Sequence, residues 1–287
     1  MCQCVHVVPC VTGRFNIDFT GNIKYNTAKI SSDIGRVMAQ KITVRSVMVF
    51  ILDILATAFF ATMVLVISPF STRGENTMHK IAAMWGRTVL FLSGVRVEVS
   101  GQENLPANQP VIFMANHQSN FDILAVLGYI PVQFRWISKK EVFRTPLMGP
   151  AMKRAGYISI DRGNRPRAIE SLDEAARTIR HGKSVMTFPE GTRSMDGAIH
   201  PFKKGLFYLA LKAGVPIMPV SIVGSRPIMP KKSLTITPGK ISLIIAKPVD
   251  VSSYSLRNRD DLMQTVHDII SDNFYRSSSH ERGTEPR

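Results

Sequence analysis

The sequence predicts an α/β domain whose mostly parallel or mixed sheet is flanked by helices and preceded by an N-terminal hydrophobic two-helix segment. First, short apolar runs, each long enough for a buried strand, recur from Val95 onward. Second, segments with helical spacing lie between these runs, and this alternation is typical of a sheet with helices on its faces. Third, a long apolar run precedes the first predicted strand.

The hydrophobic segment, residues 41–95, contains two predicted helices. Residues 47–67 form an apolar run of 21 residues with a single charge at Asp53. As a helix this run would extend about 32 Å, close to the hydrocarbon thickness of a bilayer. Residues 76–95 have an apolar core too short to span, which favours an amphipathic partner helix. Length disfavours the alternative of a buried helix in a soluble protein. The segment is therefore predicted to bind a membrane, either spanning it or partly immersed.

The α/β domain is predicted to cover residues 96–250, and residues 251–287 to form a C-terminal helix and a polar tail. The predicted strands are residues 95–99, 111–115, 134–138, 157–160, 185–188, 217–223 and 241–246. The predicted helices are residues 122–129, 146–155, 166–181, 203–213 and 258–274. The tail from Ser277 onward is polar and is predicted to be mobile.

Residues 1–40 show no sustained period and lack the basic-then-apolar layout of a signal peptide, so we expect a poorly ordered extension. One hypothesis is that the natural product starts at Met38, just before the long apolar run. The three cysteines, Cys2, Cys4 and Cys10, all lie in this extension. Their number and position indicate neither a disulfide framework nor a metal site, and they exclude a thiol nucleophile from the rest of the chain.

The charge balance indicates an anionic partner. The chain has 36 Lys and Arg against 21 Asp and Glu, a net charge of +15. Such a charge suits nucleic acid, an anionic membrane surface or a phosphorylated substrate. No zinc-finger spacing, basic zipper or aromatic-rich RNA-binding pattern is present in the sequence, so we expect no nucleic-acid partner. We see no metal-ligand cluster either, and expect no metal.

A histidine and an aspartate five residues apart form the first candidate site. His117 follows the predicted strand 111–115, and Asp122 lies in the first turn of the next helix. A carboxylate bonded to one ring nitrogen of a histidine leaves the other nitrogen free to accept a proton. Taken alone, the pair is better explained as a helix-capping aspartate beside an incidental histidine.

Two further polar segments also follow predicted strands. Asp161 and Arg162 follow residues 157–160, and residues 189–194 follow the strand 185–188. Parallel strands would bring all three segments to one edge of the sheet, where open α/β sheets carry their sites. There they would supply the histidine pair, two guanidinium groups, a carboxylate and exposed backbone N–H groups. A fourth segment, residues 215–220, carries two prolines, which suit an edge strand or the beginning of a strand.

A basic run surrounds the second of these segments. Residues 135–167 contain nine Lys and Arg against two acidic residues, a net charge of +7. A solvated basic face is the ordinary interpretation of such a run, but its position favours phosphate binding for part of it. Lys140 and Arg162 are the best candidates, whereas Arg165 and Arg167 resemble surface residues at a helix start.

Four blocks of sequence carry a resemblance to a known family. The blocks are Asn-His-x-x-x-x-Asp at 116–122, Ile-Asp-Arg at 160–162, Phe-Pro-Glu-Gly-Thr-Arg-Ser at 188–194 and Val-Pro-Ile-Met-Pro-Val at 215–220. In this order they resemble the blocks of the glycerophospholipid acyltransferases, most closely the bacterial type of 1-acyl-sn-glycerol-3-phosphate acyltransferase. One block alone is a weak signal, but four in order at the family's spacing are highly specific.

The resemblance implies transfer of a fatty acyl group from acyl-CoA or acyl carrier protein to the free hydroxyl of lysophosphatidate, making phosphatidate without a cofactor. His117 would act as base and Asp122 would orient it. Arg162 would hold the acceptor phosphate. The other residues implied at that site are Glu190, Gly191, Thr192 and Arg193. The expected location is the membrane, on the cytoplasmic face of the inner (plasma) membrane.

Two alternatives remain open at this stage. The same chemistry could use glycerol-3-phosphate, another lysophospholipid or a lyso-aminolipid as acceptor. A membrane protein that binds anionic lipid without turnover is the alternative from another class, although a binder does not require the His117 and Asp122 pair. A phosphate-ester hydrolase is disfavoured, because the sequence shows neither metal ligands nor a convincing phosphoryl nucleophile.

Overall fold

The computed structural model describes residues 43–106 and 109–283. The predictions for the N-terminal extension and for a start at Met38 lie outside these residues. Seven strands form one sheet in the order β1-β7-β6-β2-β5-β3-β4. The strands are β1 (Val95–Ser100), β2 (Ile112–Ala115), β3 (Phe134–Lys139), β4 (Ile158–Ile160), β5 (Ser184–Thr187), β6 (Ile217–Val223) and β7 (Gly239–Ile245). All neighbouring strands are parallel except β6 and β7, so the predicted mixed sheet is confirmed.

Helices cover both faces of this sheet. They are α1 (Val44–Ile67), α2 (Glu75–Ser93), α3 (Phe121–Tyr129), α4 (Met148–Arg154), α5 (Arg165–Arg180), α6 (Lys204–Ala213), α7 (Ser225–Ile228) and α8 (Arg259–Gly283). The strand β2 shows how the sheet divides the core. Phe113 and Ala115 pack into the cluster under α2 and α3, whereas Ile112 and Met114 pack into the cluster under α5, α6 and α8. This alternation follows from the two-residue period of a strand.

The N-terminal helices are joined to the sheet domain by close backbone packing. Helix α2 ends at Gly94, whose φ of +72° suits a left-handed cap. Within α2, a side-chain carbon built on Gly86 would lie 2.9 Å from the carbonyl oxygen of Leu124 in α3. The two helices therefore approach each other across a glycine, and the approach leaves no room for a larger residue.

One side of α1 carries an exposed apolar stripe. Its residues, spaced three, four or seven positions apart, are Val44, Met48, Ile51, Leu55, Phe59 and Val66. In the described part of the chain, Val44–Phe70 is the one segment long and apolar enough to cross a membrane, judged by length and composition. The opposite side of α1 packs inward through Val49, Ala61 and Val64.

The structure decides between the two alternatives for residues 215–220 and extends one predicted helix. Strand β6 lies inside the sheet between β7 and β2, and not at an edge, although Pro216 does precede it as expected. The Pro219 carbonyl accepts the backbone N–H of Ala246, just past the end of β7. The N–H that proline lacks therefore falls beyond the last paired residue of β7, where the ladder between β6 and β7 has ended. The C-terminal helix was predicted to stop at residue 274 but continues to Gly283.

We predict that Gly86→Ala lowers the free energy of unfolding by about 1–3 kcal/mol, because the added methyl must push α2 and α3 apart. Gly205→Ala in α6 is the matched control, since its added carbon would meet nothing nearer than the Leu172 side chain at 3.5 Å. That control should be neutral or stabilising by about 0.5–1 kcal/mol. Urea unfolding in detergent measures both variants, and equal stability of the two would contradict the packing argument.

Candidate active site

Three polar segments meet at the carboxyl edge of the parallel strands. They follow β2, β4 and β5, which are joined in parallel through direct pairing or through β3. The segment after β2 contains His117, the segment after β4 contains Arg162, and the segment after β5 contains Glu190. The parallel direction of these strands therefore brings together residues that are up to 73 positions apart in the chain.

His117 and Asp122 form a hydrogen-bonded pair. The Nδ1 atom of His117 lies 2.8 Å from Oδ2 of Asp122. The same oxygen accepts the backbone N–H of Gln118 at 2.6 Å and of Ser119 at 2.8 Å. Because a carboxylate accepts and does not donate, Nδ1 carries the proton and Nε2 is left with its lone pair. Asp122 is fully buried, and His117 lines the adjoining cavity.

Two aromatic side chains hold the plane of the imidazole. The ring of Phe188 stacks on His117, with centroids 3.9 Å apart and planes 6° from parallel. Trp136 in β3 packs on Phe188 at a centroid distance of 5.3 Å. Our sequence reasoning assigned no role to either residue. Phe188 could have been found from its place directly after a strand at the site edge, whereas Trp136 carried no such signal.

The carboxylate of Glu190 holds the backbone around the histidine. Its two oxygens accept the backbone N–H groups of His117 at 2.8 Å and of His200 at 3.1 Å. Ser194 also donates its backbone N–H to the carbonyl of His117 at 2.8 Å. Glu190 is buried and is not among the residues that line the cavity. Glu190 thus holds the backbone that shapes the site, and its place in the substrate-binding set stays a prediction. Its burial raises the carboxyl pKa to about 7.

The loop of residues 191–193 lies between two cationic side chains. Arg162 donates from a terminal guanidinium nitrogen to the carbonyl of Gly191 at 3.0 Å. Lys231 donates to the carbonyl of Arg193 at 2.7 Å and to the hydroxyl of Thr192 at 3.2 Å. All of these residues line the cavity. Our sequence reasoning singled out Arg162 and the loop, but it missed Lys231.

Lys140 is not brought to this cavity. Its Nζ pairs with Oδ2 of Asp161 at 2.6 Å, and Lys139 lines the cavity in its place. The geometry thus gives no support to the prediction that Lys140 binds phosphate. The exposed Arg167 also approaches Asp161, at 3.9 Å, consistent with its interpretation as a surface residue.

A cavity of about 1000 Å³ extends from His117 to the N-terminal helices. Its mouth carries His117, Arg162, Arg193 and Lys231, and its walls are apolar side chains from α1, α2, α3 and α4. Over the described ranges there is no group of three or more His, Cys, Asp or Glu placed to hold a metal ion. The arrangement combines a histidine base, a cationic mouth and an apolar chamber large enough for a hydrocarbon chain.

Comparison with known proteins gives consistent matches. A family model described as "Acyltransferase" matches residues 96–223. The 1-acyl-sn-glycerol-3-phosphate acyltransferase of Limnanthes alba is 35% identical over 185 residues, which cover 64% of this chain and 65% of that protein, just under two thirds of its length. The 1-acyl-sn-glycerol-3-phosphate acyltransferase alpha of Bos taurus is 33% identical over 219 residues, covering 73% of this chain and 76% of the relative.

A solved structure shares the fold. The crystal structure of the 1-acyl-sn-glycerophosphate (LPA) acyltransferase PlsC from Thermotoga maritima superposes with a TM-score of 0.71 at 29% sequence identity. The match covers 85% of this chain and 97% of that chain. The similarity thus extends beyond the residues of the family model to most of the chain.

We predict that Glu190 makes stability depend on pH. Its carboxyl titrates near 4.5 in an unfolded chain and near 7 in the folded protein. Between these values the folded state binds a proton that the unfolded state has released, so stability falls as pH rises. From pH 4.5 to pH 8, the wild type should therefore lose about 3 kcal/mol of unfolding free energy relative to Glu190→Gln.

Chemical denaturation at a series of pH values measures this difference. Glu174→Gln, on the exposed face of α5, is the matched control and should follow the wild type at every pH. A constant offset between the wild type and Glu190→Gln would show that folding does not raise the pKa of Glu190.

Proposed function

This chain belongs to the acyltransferase family that includes the 1-acyl-sn-glycerol-3-phosphate acyltransferases, and we propose that it acylates the free hydroxyl of 1-acyl-sn-glycerol-3-phosphate to form phosphatidate. The observation that carries the proposal is the His117 and Asp122 pair at the cationic mouth of an apolar cavity. The names of the matched relatives and of the matched structure support the acceptor.

The chemistry follows from the unprotonated Nε2 of His117. As the acceptor hydroxyl oxygen attacks the thioester carbonyl carbon, Nε2 takes the hydroxyl proton. The carbon–sulfur bond then breaks, and the departing thiolate takes the same proton back from Nε2. Asp122 holds Nδ1–H throughout and stabilises the imidazolium that forms between the two steps. A thioester is already activated, so this route requires no covalent enzyme intermediate.

The cationic mouth supports recognition of the acceptor phosphate. Arg162 and Arg193 line it, and their planar guanidinium groups suit phosphate oxygens. The donor is an acyl thioester, either acyl-CoA or acyl carrier protein, since both present the same carbonyl to the hydroxyl. The apolar walls of the cavity would enclose a hydrocarbon chain during the transfer.

The exposed apolar stripe on α1 supports binding to a membrane, where the acceptor lipid lies. The net charge of +15 favours an anionic surface such as the cytoplasmic leaflet of the plasma membrane. We therefore place the protein on the cytoplasmic face of the inner membrane, with α1 in contact with lipid.

An acceptor-by-donor activity matrix tests the proposed function. Purified protein in detergent is assayed with lysophosphatidate, glycerol-3-phosphate, other lysophospholipids and a lyso-aminolipid, each with acyl-CoA and with acyl carrier protein. Phosphatidate formation should exceed every other product. Preferred turnover of another acceptor would reassign the substrate, and absence of all turnover would favour a lipid-binding protein.

We predict that His117→Ala lowers turnover by at least about 100-fold, because removal of the base leaves the hydroxyl without a proton acceptor. His181→Ala, on an exposed histidine at the end of α5, is the matched control and should keep wild-type activity. Product formation from labelled acyl-CoA measures both. Substantial residual activity in His117→Ala, with folding intact, would contradict the assignment of the base.

We also predict that the double variant Leu55→Asp/Phe59→Asp binds vesicles much more weakly than the wild type. The two side chains are 60% and 64% exposed on the stripe of α1, and a charge there opposes insertion into lipid. Leu256→Asp is the control, because Leu256 is equally exposed, at 59%, but lies outside α1. Flotation with anionic phospholipid vesicles measures binding, and unchanged flotation of the double variant would contradict lipid contact by this stripe.

A further inference from the structure

Lys231 is a further cation that lines the cavity, beside Lys139, Arg162 and Arg193, and it comes from a part of the chain outside the four sequence blocks. It lies in the connection between α7 and β7, next to Met229, which also lines the cavity. Its Nζ makes two hydrogen bonds, to the carbonyl of Arg193 and to the hydroxyl of Thr192. An ammonium group has three N–H donors, so one donor is not used by these contacts.

The charge of Lys231 has no acidic partner nearby. Across the described residues, no carboxylate lies within 4.0 Å of its Nζ, and the same holds for the guanidinium groups of Arg162 and Arg193. Glu141 acts on the Arg162 guanidinium only from beyond that distance. Lys140, by contrast, is matched by Asp161 at 2.6 Å. Three cations without a carboxylate in close contact form a site for a multiply charged anion, because mutual repulsion between them is relieved when the anion binds.

Lys231 and Arg162 also act on the same short loop from two sides. Arg162 holds the carbonyl at its first residue, Gly191, and Lys231 holds the carbonyl at its last residue, Arg193. The loop backbone is thus fixed at both ends by cations that face the cavity.

We propose that Lys231 binds the phosphate group of the acceptor together with Arg162 and Arg193. This inference rests on the proposed function, because it assumes a phosphorylated lipid acceptor. Lys231 has two roles in this site: two of its donors hold residues 192–193, and the third donor faces the anion. Its contribution is therefore to affinity for the phosphate, and His117 carries out the proton transfer without it.

The test compares acceptor binding in full-length variants, in detergent and without an acyl donor. Lys231→Met removes the charge but keeps the length of the side chain, and it should weaken binding of lysophosphatidate about 10- to 100-fold. Binding of monoacylglycerol, which has no phosphate, should change less than about twofold. Lys232→Met is the matched control, since Lys232 is exposed and does not line the cavity, and it should bind both lipids as the wild type does.

The outcomes separate a phosphate contact from a purely structural role. Equal weakening of lysophosphatidate and monoacylglycerol binding in Lys231→Met would show that the residue only holds the loop, and would overturn the proposal. Unchanged lysophosphatidate binding would also overturn it, even if the wild type makes phosphatidate. If the wild type makes no phosphatidate, the proposed function fails. The anion site would still be supported if inorganic phosphate competes with lysophosphatidate for binding, and if this competition is weakened in Lys231→Met but not in Lys232→Met.

Discussion

The site depends on a single carboxylate oxygen, Oδ2 of Asp122, which accepts three hydrogen bonds. Two come from the backbone of Gln118 and Ser119 and shape the turn between β2 and α3. The third comes from the ring of His117 and sets which nitrogen faces the cavity. Because one atom makes all three bonds, the turn and the imidazole cannot move independently. The buried carboxylate therefore couples the shape of the backbone to the orientation of the imidazole.

The mixed sheet explains why an apolar chamber and a charged mouth lie side by side. The parallel strands β2, β5, β3 and β4 all end at one edge, where the backbone turns expose polar groups. Helices α1, α2 and α3 cover the adjacent face with apolar side chains and line the chamber. A lipid with a phosphate at one end of its hydrocarbon matches both surfaces at the same time.

Much of the fold could be predicted from sequence because the core strands are unbroken apolar runs with clear boundaries. His117 and Asp122 could be predicted because both belong to one short turn. Lys231 and Trp136 could not, since they reach the site through contacts between distant segments that leave no local pattern. The pairing of Lys140 has no local pattern either, since its partner Asp161 is 21 residues away. The two prolines of residues 215–220 fitted both an edge strand and a strand beginning, because a sequence does not display which strands are neighbours.

Helix α1 carries the exposed apolar stripe and also forms a wall of the cavity. Phe50, Ile54, Thr57 and Ala61 face the chamber from the same helix that carries the stripe. Deleting α1 to obtain a version that needs no detergent would remove this wall and open the chamber to water. Water-soluble truncations of this protein are thus poor subjects for inhibitor screening, because the pocket that an inhibitor would fill is removed together with the helix.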